Sequence, residues 1–273
     1  MIRLICETAQ TLKEFTDNNC AQASFFWTQL LKNKDIKVNG KKVSADTALV
    51  VGDEVCYYLT KKQEEKPAYY IVYEDENFIV ADKESGVNAE AVFAELYRNR
   101  GSRVAFIHRL DRNTRGLIAF ACNENAENAL LLAFREKRVE KLYHALCFGS
   151  FACPVATLTA FLKKDEKRAL VKIYDKPIAG SEKIVTEYAV EEQRADGTTR
   201  VAVILHTGKT HQIRAHLSYI GCPIVGDMKY GNTEQNRARN ATRQCLVAKR
   251  LRFSLSGGFS YMNEKCFTSR FEV

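Results

Sequence analysis

His108-Arg109-Leu110-Asp111-Arg112-Asn113-Thr114-Arg115-Gly116-Leu117 is the stretch on which the reading of this chain turns. It sets one carboxylate among three arginines and a histidine, directly ahead of the apolar run Leu117-Ile118-Ala119-Phe120-Ala121-Cys122. Taken alone, a single Asp among cations reads most simply as a solvated turn. Its meaning depends on what surrounds it, and the rest of the chain narrows the choice.

The 273 residues suffice for one sizeable domain and a small one, and 46% hydrophobic with 27% charged residues is the composition of a globular protein. A formal net charge of +8 attracts polyanions, which leaves RNA, DNA and anionic membrane surfaces open as partners. The sequence has no run of 18 apolar residues, and the opening Met1-Ile2-Arg3-Leu4-Ile5-Cys6-Glu7 is interrupted too soon for a signal peptide. A cytoplasmic protein with no membrane partner is expected. The nine cysteines are odd in number and scattered, many within apolar runs, which suits reduced, buried thiols. There is no Cys-x-x-Cys pair, and His211 and His216 stand five apart with no Glu in metal-binding register, so no metal site is expected.

Residues 1 to 60 read as a unit of their own. A helix is expected around Ser24 to Lys34, followed by a hairpin turning at Asn39-Gly40 and then the segment Val50 to Val55. Residues 61–68, charged and ending at Pro67 and Ala68, read as a linker. From Tyr69 to the end of the chain a second unit, 69–273, opens with two paired strands, Tyr69 to Tyr73 and Phe78 to Ala81, turning at Glu74 to Asn77. Asn123 caps a helix with acids in its first turn and Arg135, Lys137 and Arg138 at its end. A strand with Tyr143 facing away from Leu142 and Leu146 follows, then strand-like pieces at Thr157 to Thr159 and Val185 to Val190. Thr210 is expected to cap a helix with Ile213, Leu217 and Ile220 on one face, stopped by Gly221 and Pro223.

Three segments, in order, resemble the motifs of the RluA-type RNA pseudouridine synthases. These are the Asp111 stretch, Lys141-Leu142-Tyr143-His144-Ala145, and Thr207-Gly208-Lys209-Thr210-His211-Gln212-Ile213-Arg214-Ala215-His216-Leu217. The likeness runs from about Tyr69 to the C-terminus. It implies an α+β fold in which a pseudouridine synthase catalytic domain is built on a mixed, mainly antiparallel sheet. Residues 1–60 resemble the small helical and hairpin RNA-binding domain shared with a small-subunit ribosomal protein, the S-four type. There, Lys32, Lys34, Lys37, Lys41 and Lys42 would meet phosphates.

Pseudouridine formation breaks the bond between uracil N1 and ribose C1′, turns the base and rejoins it through C5, with no redox change and no cofactor. The target base must first leave the stack. The resemblance makes Asp111 the nucleophile or general base, Arg214 its cationic partner, and Tyr143 the ring that stacks on the uracil. It makes Arg109 the filler of the space left by the flipped base, Leu217 a pocket wall, and Lys83 a substrate-contacting residue. The partner is ribosomal or transfer RNA, and a monomer is expected. The sequence departs from the family pattern at Glu84, where Pro is usual after the Lys, at Asn113, where Asp is common, and at Arg115, where a small residue is usual. A long cation at 115 would either contact phosphate or crowd the pocket. A late basic series, Arg237, Arg239, Arg243, Lys249, Arg250 and Arg252, is a candidate clamp on the RNA backbone.

Three other readings compete. A catalytically silent RNA-binding or RNA-chaperone protein on the same fold would share the charge and the domains but not turnover. A nucleotide-binding loop at Gly208-Lys209-Thr210 would need Gly where Val203 stands, so no nucleotide cofactor is expected. A glycoside hydrolase would need two acting carboxylates, and only one is marked.

Overall fold

The Asn39-Gly40 turn forms as the sequence predicts. Both residues have positive φ, 49° and 78°, which is the two-residue hairpin geometry that follows the right-handed twist of the flanking strands. The structure is a computed structural model describing residues 1–100, 104–165 and 168–273. The chain divides into two compact units, 1–112 with 118–127, and 113–117 with 128–273.

The first unit begins with β1 (Ile2–Ile5), β2 (Gln10–Thr11), α1 (Leu12–Asn19), α2 (Ala21–Phe25) and α3 (Trp27–Asn33). β3 (Ile36–Val38), β4 (Lys41–Val43), β5 (Ala48–Leu49) and β6 (Glu54–Tyr57) follow. The strands form an antiparallel sheet in the order β1-β6-β3-β4, with β2 paired to β5. Thr11 and Glu14 make a reciprocal capping box that starts α1. Leu12, Phe15, Leu30, Ile36, Val55 and Tyr57 fill the core between helices and sheet. The single helix expected over 24–34 is interrupted at Phe26, which leaves helical geometry at φ −101° and ψ 14°. The interruption lets the adjacent Phe26 and Trp27 both pack on the core.

The 61–68 segment contains one helical turn, α4 (Lys61–Glu64), because Thr60 and Gln63 cap each other. The Gln22 side chain holds this segment by accepting from the Ala68 N–H at 2.8 Å and donating to the Lys66 carbonyl at 2.9 Å. β7 (Tyr69–Glu74) and β8 (Phe78–Lys83) then pair antiparallel as predicted, and Asp75 accepts from the N–H groups of Asn77 and Phe78 in the turn. α5 (Ala89–Arg100) packs on α1. β9 (Ala105–Phe106) pairs with the latter half of β10 (Arg115–Ala121), which neighbours β8.

In the second unit the first residues of β10 pair parallel to β16 (Leu246–Phe253), Arg115 with Val247 and Gly116 with Ala248. α6 (Glu124–Arg135) leads to β11 (Val139–Phe148), and the antiparallel order is β13-β12-β14-β15-β11-β16. Those strands are β12 (Val155–Asp165), β13 (Leu170–Tyr174), β14 (Glu182–Gln193) and β15 (Thr198–Leu205). α7 (Gln212–Tyr219) packs on β13 and β14, α8 (Thr233–Ala238) follows, and β17 (Cys266–Thr268) pairs with β16. The fold is α+β on a mixed, mainly antiparallel sheet, as the family resemblance implied.

Two local expectations shift. Asn123 caps α6 through its side chain, as read from the sequence, but the helix ends at Arg135 and Lys137 turns left-handed. At α7 the cap position is His211, not Thr210, and it takes left-handed geometry with no capping side chain. Gln212 organises the entry instead. Its amide accepts from Lys209 N–H at 3.1 Å and donates to Val185 O and Thr186 Oγ1. Among the described residues no helix is long and apolar enough to cross a membrane, and no cluster of ligating side chains could hold a metal ion.

Candidate active site

Lys83 ends β8, a strand buried at every position, and its own side chain is completely buried. Its ammonium donates to the carbonyls of Glu84 at 2.9 Å, Val87 at 2.8 Å and Arg112 at 3.1 Å. Burial lowers its pKa to about 7, while the negative charge of Asp111 works in the opposite direction. With every donor committed to backbone, Lys83 faces the loop that follows Asp111 rather than solvent. Gly86 N–H also donates to Arg112 O, at 2.9 Å. The usual Pro after this lysine is Glu84, and its N–H donates to Ala68 O at 2.9 Å, a bond proline cannot make.

The side chain of Arg112 is held from another direction by the carboxylate of Asp17 in α1. Asp17 in turn accepts from Ser24 Oγ at 2.6 Å and pairs with Lys13. Backbone and side chain of the residue after Asp111 are therefore both fixed, leaving Asp111 half-buried in a constrained turn. His108 Nε2 accepts from Ala119 N–H at 3.0 Å, which secures the start of the turn to β10. Arg109 is exposed and lies 3.4 Å from Glu90 of α5.

In the second unit Thr114 is buried and accepts from Gln244 Nε2 at 3.0 Å. Gly116 has φ +112°, and a Cβ there would lie 2.3 Å from Ala248 O, so the parallel pairing of β10 with β16 requires glycine. Arg115 does not extend into solvent. It is buried, donates to Glu272 O at 2.6 Å and lies over the Phe271 ring. The late basic series is likewise not one clamp, because Lys249 donates to Ser269 O and Phe271 O, Arg250 pairs with Glu140, and Arg239 with Asp196.

Tyr143 is buried on β11, opposite Val203 of β15 and Ala248 of β16. The register with β16 slips by one residue at Leu142/Tyr143, where β16 carries the extra residue Lys249 while β11 keeps its regular alternation. On α7, Leu217 has no exposed surface and Arg214 is buried. Arg214 makes a two-pronged pair with Asp227, Nε to Oδ2 at 2.7 Å and Nη2 to Oδ1 at 3.0 Å. Oδ1 also accepts from the N–H groups of Lys229 and Tyr230. Burial pushes the Asp227 carboxyl up, but the hydrogen bond and charge of Arg214 outweigh it and hold the pKa below the usual carboxylate value.

The structure thus gathers Lys83, Arg109 and the Asp111 turn within one unit, and Tyr143, Arg214 and Leu217 within the other. Sequence reading missed Asp17, Asp227 and Gln244. Gly226, just before Asp227, marks the spot locally, and the structure shows why it is glycine, since a Cβ there would meet Arg243 O at 1.9 Å. Of the lysines expected to meet RNA, Lys32, Lys34, Lys41 and Lys42 are exposed and Lys37 is half-buried over the Tyr58 ring. Lys37 and Lys42 face each other across the hairpin.

One unit thus holds a carboxylate in a fixed, basic turn, and the other a buried tyrosine and a buried, oriented arginine, on an α+β scaffold. Residues 64–219 match the family described as RNA pseudouridylate synthase. The ribosomal large subunit pseudouridine synthase C of Rickettsia bellii is 32% identical over 229 residues, spanning 74% of this chain and 76% of that protein. The protein of the same name from Vibrio cholerae is 30% identical over 228 residues, spanning 75% and 71%. Human RNA pseudouridylate synthase domain containing 1 superposes with a TM-score of 0.60 at 29% identity, over 73% of this chain and 81% of that one. Human RNA pseudouridylate synthase domain containing 4, at 19% identity and a TM-score of 0.57, shares the fold. The chain belongs to the RNA pseudouridylate synthase family. It is an RNA pseudouridine synthase, an isomerase of uridine in RNA.

Proposed function

We propose that the RNA this enzyme modifies is ribosomal RNA of the large subunit. The observation that carries this is the likeness, over three quarters of the chain, to proteins named for that substrate. In this reading Asp111 is the carboxylate that reacts with the target nucleotide or takes its proton. Its turn is pre-set by Lys83 and Asp17, so little reorganisation accompanies reaction. Lys83 acts through that turn as a positioning residue. Tyr143 stacks on the extruded uracil, Leu217 supplies apolar wall, and Arg109 enters the space that the base leaves. Arg214, whose direction Asp227 sets, supplies positive charge to the reaction.

Residues 1–60 act as an S-four-type RNA-binding domain. Two lysines facing each other across a hairpin repel unless an anion joins them, which supports phosphate contact at Lys37 and Lys42. Nine free thiols, five of them buried, suit a reducing compartment such as the cytoplasm. The enzyme works as a monomer.

Tritium release from RNA labelled at uridine C5 tests the reading, with unmodified large-subunit ribosomal RNA and transfer RNA compared. Release is expected from ribosomal RNA with wild type and not with Asp111→Asn, which still binds RNA. Release from transfer RNA alone would overturn the substrate, and turnover by Asp111→Asn would overturn the site.

A further inference from the structure

The second unit contains a cavity of about 750 Å³ that the roles above do not use. It lies between the end of α6, the start of β11, the end of β15 with the loop leading into α7, and the end of β16. Its cationic lining is Arg135, Lys137, Arg138, Lys141, Lys209 and Arg252, against the single carboxylate of Glu140. Phe134, Leu205 and Phe253 add apolar wall. The volume falls within the range of sites that take a nucleotide-sized ligand.

How these cations are neutralised separates a binding surface from an ordinary basic face. Arg138 and Lys209 pair with Glu136 and Glu182, and Glu140 is occupied by Arg250. Among the described residues, Arg135, Lys137, Lys141 and Arg252 have no carboxylate within ion-pairing distance. Lys141 is half-buried, its ammonium beside Gly208 and near the Phe134 ring, and burial alone lowers its pKa. A desolvated ammonium with no protein counter-charge gains most from an incoming anion. Lys137 gives a second indication. It holds left-handed geometry, φ 58°, after α6, at a position that ordinarily favours glycine.

Lys141 lies two residues before Tyr143 on one strand, so the two side chains share a face roughly 7 Å apart along β11. An RNA strand whose target base stacks on Tyr143 therefore carries its adjoining phosphates past Lys141. We propose that this cavity is a phosphate subsite of the enzyme, gripping the RNA backbone beside the target uridine through Lys137, Lys141 and Arg252. The proposal rests on the role given to Tyr143 above.

The bland reading is that these cations merely complement the C-terminal end of the α6 dipole. A salt titration of RNA binding by the full chain separates the two. Lys137→Gly removes a cation while giving the left-handed position the residue it favours, and Arg252→Gln changes an exposed side chain, so the double variant retains the fold. Removing one cation that neutralises a phosphate lowers the slope of log affinity against log salt by about 0.7 to 0.9. The double variant is expected to drop the slope by about 1.5 and to bind roughly tenfold more weakly at physiological salt. Lys141→Gln is expected to move the slope in the same direction. A wild-type slope and affinity in the double variant would overturn the proposal. So would a wild-type RNA slope together with loss of thermal stabilisation by inorganic pyrophosphate, which would give the cavity to a free phosphate compound. Asp111→Asn, run alongside, is expected to keep the wild-type slope without turnover. If it turns over, the assigned active site fails whatever the slope shows.

Discussion

Replacing Asp227 by Asn tests the buried pair on which the direction of Arg214 depends. The change conserves shape and leaves one carbonyl oxygen for the N–H groups of Lys229 and Tyr230, so the backbone turn retains its acceptor. It removes the charge opposite a guanidinium that is 5% exposed, and sets an amide N–H against Arg214 Nε. Breaking a buried pair from one side typically destabilises by about 3–5 kcal/mol, because the remaining charge stays buried and uncompensated. For a chain of this size that lowers Tm by roughly 10 °C. A displaced Arg214 is expected to lower kcat about 100-fold, the usual effect of an ångström of misplacement.

The pH dependence gives a second, independent readout. The folded pKa of Asp227 lies below its ordinary 3.8, so its contribution to stability is present above that value and is lost as pH falls below it. The gap in unfolding free energy between wild type and Asp227→Asn, measured by urea denaturation, is expected to be full at neutral pH and to shrink below about pH 4. A gap under about 1 kcal/mol at neutral pH would mean that the pair behaves like a solvated surface bridge, and would refute the reasoning. So would a gap that stays constant through the acid range.

Three further outcomes follow from the same geometry. Gly116→Ala, whose Cβ would lie 2.3 Å from Ala248 O, is expected to destabilise by more than about 3 kcal/mol, and a denaturation midpoint close to wild type would contradict the close pairing of β10 and β16. His216 is buried with Nδ1 2.9 Å from Thr186 Oγ1, and burial lowers its pKa from 6.5 to about 4. The unfolded chain takes up the proton first, so wild-type stability should fall by up to about 3 kcal/mol as pH drops through that window, and His216→Gln should flatten the fall to the part that His144, also lowered by burial, contributes. Arg115→Ser, which restores the small residue usual in the family, leaves Glu272 O without this donor and is expected to destabilise by about 1–3 kcal/mol, with faster amide exchange at Phe271; unchanged exchange would count against the tether.

What could be read in advance was local. The Asn39-Gly40 turn, the Asn123 cap and the β7–β8 hairpin are decided by residues within a few positions of each other, and the three family segments carry their meaning in consecutive letters. The interactions that give the site its rigidity are of another kind. Arg112 finds Asp17 from 95 positions away and Arg115 finds Glu272 from 157, distances at which no sequence pattern singles out one carboxylate or carbonyl among many. The shift of the α7 cap to His211 has the same origin, since Gln212 is drawn in by Val185 and Thr186 of β14. Departures from the family pattern come with partners as well. Glu84 brings an N–H that Ala68 O uses, and Arg115 brings a guanidinium that Glu272 and Phe271 use. Glu84 is matched within its own hairpin, by Ala68 at the base of β7–β8, and Arg115 by Glu272 far along the chain. Restoring the usual residue at 84 or 115 alone therefore strands that partner, and the family motif at these positions transfers to this chain only together with the interactions that replaced it.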